Sequence, residues 1–244
     1  MEFYIQSKHK MTRVVLDDSY PAALLETQAH ETSPTDTNNS QFLHRDLNKP
    51  PHLVTHASGS HLHLADGRTI LDACGGAAVT IVGHSNPKVI AATTAQLQSV
   101  SYIHTMAYTT SPAERLAQCV LSMSDSHDLT RAYFVGSGSE ANEAAMKLAR
   151  QYFVEKGEMQ RTWFVSRRQA YHGNTLGAVA ISSNVPRRAP YADILMPKVS
   201  FVSPAYEYRG RRNGETEEEY SKRLVEEIEA EFIRLGPENV ISFM

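Results

Sequence analysis

Gly136-Ser137-Gly138-Ser139 lies in the stretch RAYFVGSGSEANEAAMKLARQYF, Arg131 to Phe153, between a short apolar run and an alanine-rich segment of helical periodicity. Glycine at 136 and 138 lets the backbone turn tightly and approach a ligand without a Cβ. Ser137 and Ser139 add hydroxyl donors. The first amides of a following helix point back at such a turn, where the helix dipole also favours negative charge. The chemistry this pattern suits is the holding of an anion, a phosphate above all. Ser137 and Glu140 also have capping-box spacing, as more loosely have Ser139 and Asn142, so a well-capped helix without a ligand meets the same pattern. The helix is expected to present Ala141, Ala144, Ala145, Leu148, Ala149 and Tyr152 on one face, with Lys147 solvated beside it.

A second group follows an expected strand at 162–166. Tyr171-His172-Gly173 puts an aromatic ring, an imidazole and a flexible residue at the C-terminal end of that strand, the edge where open α/β sheets bind ligands. A ring there can stack on a flat heterocycle; a buried core tyrosine is the plain alternative. Gly136, Gly138 and Ala141 also satisfy G-x-G-x-x-G/A, and Ser166-Arg167-Arg168 ends the next strand, so an NADP-dependent reductase competes on local evidence. The distance from Gly136 to that strand end exceeds the usual ~20 residues. His61 and His63 share a strand face, but no third ligand accompanies them and no metal site is assigned.

The elements that must position these groups are marked by turn and cap signals. Asp66-Gly67 between alternating segments predicts a hairpin. Asn86-Pro87 opens a helix over 87–100, and Ser111-Pro112-Ala113-Glu114 reads as a capping box opening another, with Ala113, Leu116, Ala117, Val120 and Leu121 as its stripe. Tyr133-Phe134-Val135 reads as a strand leading into the glycine turn. GAVAIS, 177–182, fits helix or strand. Thr216 and Glu219 form a capping box for a helix whose Tyr220, Leu224, Ile228, Phe232 and Leu235 share a face, ended by Gly236-Pro237. ENVISFM reads as the start of a buried strand inside which the chain stops, hence as a truncation; Met11 is an alternative start. Alternating strands and helices predict an α/β fold with a mainly parallel sheet.

Composition sets the class. The 244 residues are 41% hydrophobic and 21% charged, with a formal net charge of -3, which suits a globular protein and gives no reason to expect nucleic acid or membrane partners. No apolar run reaches the ~18 residues of a membrane helix, and the start MEFYIQSKHKMTRVV shows basic residues without an apolar h-region, so no secretory signal is expected. Cys74 and Cys119 sit in apolar runs and are expected as buried free thiols in a reducing, cytoplasmic setting.

Four ordered segments together resemble the class III (ω-) aminotransferases, pyridoxal-phosphate enzymes of fold type I: ADGRTILDACGGAAVTIVGHSNPKV, YTTSPAERLA, SGSEANEAAMKLAR and YHGNTLGA, over roughly residues 50–182. Residues 1–40, poor in core signal and polar and breaker-rich over 31–40, read as a flexible extension; the resemblance implies the N-terminal segment of the small domain over 41–104 and part of the cofactor-binding large domain over 105–244. It implies that Ser137, Gly138 and Ser139 hold the phosphate of pyridoxal 5'-phosphate, that Tyr171 stacks on the pyridine ring, that His172 and Gly173 shape that face, and that Gly75 and Gly76 stand near the substrate mouth. The implied reaction moves an amino group from an amine or amino acid to a carbonyl acceptor, in a homodimer when full length. The family's ring-nitrogen aspartate and Schiff-base lysine fall beyond Met244. None of Lys8, Lys10, Lys49, Lys88, Lys147, Lys156, Lys198 or Lys222 stands in the lysine's context, so this chain alone is expected to be inactive, with a non-catalytic remnant as the alternative.

Overall fold

The computed structural model describes residues 2–7, 10–15, 42–46, 48–49, 51–124 and 128–244. The chain divides into two compact units, Met1–Thr109 and Thr110–Met244.

In the first unit, β1 (Glu2–Ser7) pairs antiparallel with β2 (Lys10–Val15). Both runs are rich in β-branched and aromatic residues, Phe3, Tyr4, Ile5, Thr12, Val14 and Val15, which favour strand. The polar stretch 31–40 lies outside the described residues. A three-stranded antiparallel sheet follows: β3 (Val54–Ser58), β4 (His61–Leu64) and β5 (Thr69–Leu71). The expected Asp66-Gly67 turn joins the last two, with Gly67 at φ +86° and Asp66 accepting from the Arg68 amide at 3.1 Å. His63 is engaged within the sheet, its ring stacked on His56 at 4.0 Å and its Nδ1 3.0 Å from the Thr69 hydroxyl. Among the described residues, no group of three His, Cys, Asp or Glu side chains gathers in metal-ligating reach. Helix α1 (Pro87–Ser99) starts where Asn86 caps it, accepting from the amides of Lys88 and Val89.

The second unit opens with α2 (Ser111–Ser122). Its N-cap is Thr110, whose hydroxyl accepts from the Ala113 amide at 3.4 Å; Ser111 is the first helical residue rather than the cap. The expected apolar stripe is largely open, with Leu116 and Val120 exposed. Tyr133-Phe134-Val135 is not a strand: it joins no ladder and all three side chains are exposed. An apolar extended run becomes a strand only when a neighbour takes up its amides and carbonyls, and no described strand does so.

Helix α3 (Gly138–Glu155), β6 (Trp163–Arg167), α4 (Leu176–Ile181), β7 (Val199–Val202), α5 (Glu217–Leu235) and β8 (Val240–Phe243) then build an α/β sandwich. GAVAIS thus resolves as helix. The sheet has order β7-β6-β8 and is parallel throughout. Because side chains alternate across a strand, Phe164 faces one layer and Val165 the other. Phe164 packs with Met146, Ile181 and Ile241. Val165 packs with Val202 and Val240, against Ile228, Phe232 and Leu235 of α5. Val165 and Ile181 are fully buried, and side chains of this size contribute roughly 1.5–3 kcal/mol each when buried. The α5 capping box is complete, with the Thr216 hydroxyl accepting from the Glu219 amide and the Glu219 carboxylate accepting from the Thr216 amide.

Two expectations about faces are corrected. Helix α3 turns Met146, Ala149 and Phe153 inward, while Leu148 and Tyr152 are 73% and 56% exposed. The buried face is set by what the sheet offers, and the longer Met and Phe side chains reach it better than the alanine row. Cys74 and Cys119 are free but exposed rather than buried: Cys74 sits in a turn and Cys119 on the open side of α2.

Candidate functional site

Ser137 is the N-cap of α3, in extended conformation, with its hydroxyl oxygen accepting from the Glu140 amide at 3.1 Å. Its carbonyl accepts from the Ala141 amide at 3.0 Å. Of the four amides that a helix start leaves open, those of Ser137, Gly138 and Ser139 keep no partner among the described residues. A Cβ on Gly138 would meet nothing within 4 Å, so the turn is open beside Gly138. The capped helix start and the turn with open amides are therefore the same structure, with three amide donors left over.

Ser139 does not cap Asn142, as the spacing suggested. Its hydroxyl oxygen accepts from the Asn174 amide at 2.8 Å, which leaves its proton to donate outward. The Asn142 side chain instead donates to the His172 carbonyl at 2.6 Å. Gly173, at φ +140°, lies where a Cβ would come within 2.8 Å of the Ser139 Cα. The Tyr171–Gly173 segment and the Ser137–Ser139 turn are thus clamped together across more than thirty residues of chain.

His172 is fixed by two further bonds. Ser166, fully buried at the end of β6, places its hydroxyl 3.1 Å from His172 Nε2. The His172 amide donates to the Ser182 hydroxyl at 2.8 Å, and that hydroxyl donates to the Ala178 carbonyl. Burial pushes the His172 imidazole pKa down from its ordinary 6.5, so the ring is neutral at pH 7. Tyr171 projects its ring outward, 55% exposed, with the Arg187 guanidinium 5.0 Å from the ring centroid. A core tyrosine is excluded, and a ring this open can take a flat ligand.

Glu143 is a group that sequence reasoning missed. Its carboxylate accepts from the Thr175 hydroxyl at 2.6 Å, the Gly177 amide at 2.9 Å and the Ala178 amide at 3.3 Å. It caps α4 from another helix, where negative charge suits the dipole. Gly177 leaves room for this arrangement, since a Cβ there would lie 2.6 Å from the same carboxylate oxygen. The only sequence signal was a glutamate on the inner side of α3, which is uncommon without a partner.

Gly75 and Gly76 belong to the first unit. With Ala77 and Ala78 they form a left-handed turn, at φ 57°, 62°, 65° and 64°. The two alanines each cost about 1–2 kcal/mol in that conformation. Asp72 holds the turn, with one oxygen accepting from the Gly75 amide at 2.9 Å and the other 2.8 Å from His84 Nε2. The His84 bond lowers the Asp72 pKa.

The arginines that favoured a dinucleotide are occupied. Arg167 donates to the Ser203 carbonyl at 3.0 Å, and Arg168 to the Phe201 carbonyl at 3.1 Å and the Ser203 hydroxyl at 3.2 Å. Both guanidinium groups tie β6 to the end of β7 instead of facing a 2′-phosphate.

The family model for class III aminotransferases matches residues 42–243. The chain belongs to the class III aminotransferases. An uncharacterised aminotransferase of Schizosaccharomyces pombe is 43% identical over 91% of this chain and 48% of its own length. A mitochondrial gamma-aminobutyrate transaminase of Solanum lycopersicum is 31% identical over 93% of this chain and 46% of its own. This class III chain spans about half the length of the curated relatives it matches. Among solved structures, a transaminase with L-alanine is 25% identical at TM-score 0.75, over 86% of this chain and 48% of that one. The ω-transaminase of Pseudomonas jessenii in complex with PMP superposes at TM-score 0.79 with 24% identity, over 87% of this chain and 48% of that one, a likeness of fold. Pyridoxal phosphate is the cofactor that membership of this family implies.

Proposed function

We propose that this chain supplies the phosphate-holding and ring-stacking part of a pyridoxal-phosphate-dependent aminotransferase. The observation that carries the reading is the pair of unpartnered amides at Gly138 and Ser139, on an open helix start locked to Tyr171–Gly173. The two amides and the free hydroxyl protons of Ser137 and Ser139 hold the phosphate. Tyr171 stacks on the pyridine ring, while His172 and Gly173 set the position of that ring face. Bound pyridoxal phosphate supplies the electron sink and the carrier for the amino group. The substrates are an amine or amino acid and a keto or aldehyde acceptor.

The reading extends to a cytoplasmic homodimer. Exposed free thiols at Cys74 and Cys119 suit a reducing compartment. Exposed apolar side chains at Tyr133, Phe134, Leu148 and Tyr152 supply surface for a partner to cover.

Equilibrium dialysis of the 244-residue chain against pyridoxamine 5'-phosphate and pyridoxamine tests the site without needing turnover. The phosphorylated ligand is expected to bind at least about tenfold more tightly, through charge-assisted bonds, and inorganic phosphate to compete with it. Equal binding of the two ligands would sink the proposal.

A further inference from the structure

A cavity of about 440 Å³ opens at the C-terminal ends of β6 and β7 beside the first turns of α5. That size is within the range of small-molecule sites. Gln169, Tyr206, Arg209, Tyr220, Arg223 and Leu224 are among its lining residues, and no carboxylate lines it. None of these residues belongs to the phosphate turn or to Tyr171–Gly173.

The walls are fixed by their own bonds. Tyr220 is 5% exposed, and its hydroxyl accepts from the Tyr206 amide at 2.9 Å and donates to the Pro204 carbonyl at 3.2 Å. Leu224 is equally buried and makes the floor apolar. Arg223 is braced by Glu215, through Nε at 2.7 Å and Nη2 at 2.8 Å, and Nη2 also donates to the Gly210 carbonyl at 2.9 Å; its Nη1 is left over. The Arg209 guanidinium has no hydrogen-bond or ion-pair partner among the described residues, and neither has the Gln169 side-chain amide. Gln169 is held at φ +66°, a conformation that L side chains rarely adopt.

We propose that this cavity binds a small organic carboxylate. Arg209, with Gln169 and the free edge of Arg223, meets the carboxylate, as guanidinium forks do. The tyrosine rings and Leu224 take an aromatic or aliphatic body. Inorganic phosphate leaves those apolar walls unfilled, so the class is an organic acid rather than a bare anion.

The test is titration of the 244-residue chain with benzoate, followed by backbone amide NMR shifts. Benzamide serves as the uncharged counterpart and inorganic phosphate as the bare anion. Saturable benzoate shifts at Gln169, Arg209 and Gly210 are expected, weakened about tenfold by Arg209→Gln. Arg209 is exposed, so this variant should keep the fold, which its unshifted thermal unfolding will check. Unchanged benzoate affinity in Arg209→Gln overturns the proposal. So does benzamide or phosphate binding as tightly as benzoate. Benzoate shifts confined to Ser137–Ser139 locate the anion at the phosphate turn and overturn it as well.

Discussion

The Asn174 amide donates to the Ser139 hydroxyl oxygen at 2.8 Å, across 35 residues of chain. This bond joins the start of helix α3 to the segment that carries the exposed Tyr171 ring. It ties the Ser137–Ser139 turn to the Tyr171 segment, which would otherwise be two separate loops.

Gly173 is the tightest point of that joint. Gly173→Ala adds a methyl within 2.8 Å of the Ser139 Cα and 2.9 Å of its Cβ, at φ +140°. Overpacking of this kind costs about 1–3 kcal/mol, and the backbone angle adds to it. A lowered urea midpoint is expected, with loss of pyridoxamine 5'-phosphate binding. A variant that binds normally would remove the clamp from the account.

Glu143→Ala leaves the Thr175 hydroxyl and the Gly177 and Ala178 amides without their shared acceptor. Orphaning such donors costs about 1–3 kcal/mol. Thr175→Val should cost less in the Glu143→Ala background than in the wild type, since both remove the same bond. Strict additivity in chemical denaturation would count against Glu143 as the cap of α4.

The pH dependence at His172 has a definite sign. Burial holds the folded pKa below the ordinary 6.5. As pH falls through that value the unfolded chain takes up a proton that the folded chain resists, so stability drops on acidification and is unaffected at higher pH. A urea midpoint lower at about pH 5.5 than at about pH 7.5 is expected, and His172→Gln should flatten the difference. An imidazole NMR titration at or above 6.5 would contradict it.

Glu215 behaves differently in pH. Arg223, aided by the Arg212 amide, lowers its pKa from 4.5 to about 2. Its contribution is therefore fully present above 4.5 and is lost as pH falls from there through about 2. Glu215→Gln should remove this acid sensitivity and loosen the bracing of Arg223. Carboxylate titration by NMR reads the pKa directly; a value near 4.5 would show that the pair does not hold in solution.

Both cysteines should react with a thiol reagent in the native chain without denaturant, because both are exposed. Two fast equivalents are expected. Slow labelling that speeds up only on unfolding would restore the buried thiols suggested by their apolar neighbours.

What the sequence by itself determined was local in cause. Asn86 before Pro87, Thr216 with Glu219, and Asp66-Gly67 specify their elements through bonds spanning two or three residues, and each formed where the pattern put it. The parallel sheet was legible too, because alternating strands and helices leave few other packings. The glycines and serines at 136–139 pointed to a capped helix start with open amides for the same reason: free amides there are a property of the helix itself.

Tertiary structure alone decided everything that depends on which distant surfaces meet. Helical periodicity offered several faces of α3, and the sheet chose Met146, Ala149 and Phe153 over Leu148 and Tyr152. The same applies to Tyr133-Phe134-Val135, which has the composition of a strand but no described partner. Glu143, Asn142 and Ser166 gained their roles only when α3, β6 and the Tyr171 segment were brought together. Hydrogen bonds over about thirty residues leave no periodic trace in a chain; they exist only once packing has removed water from the groups that make them.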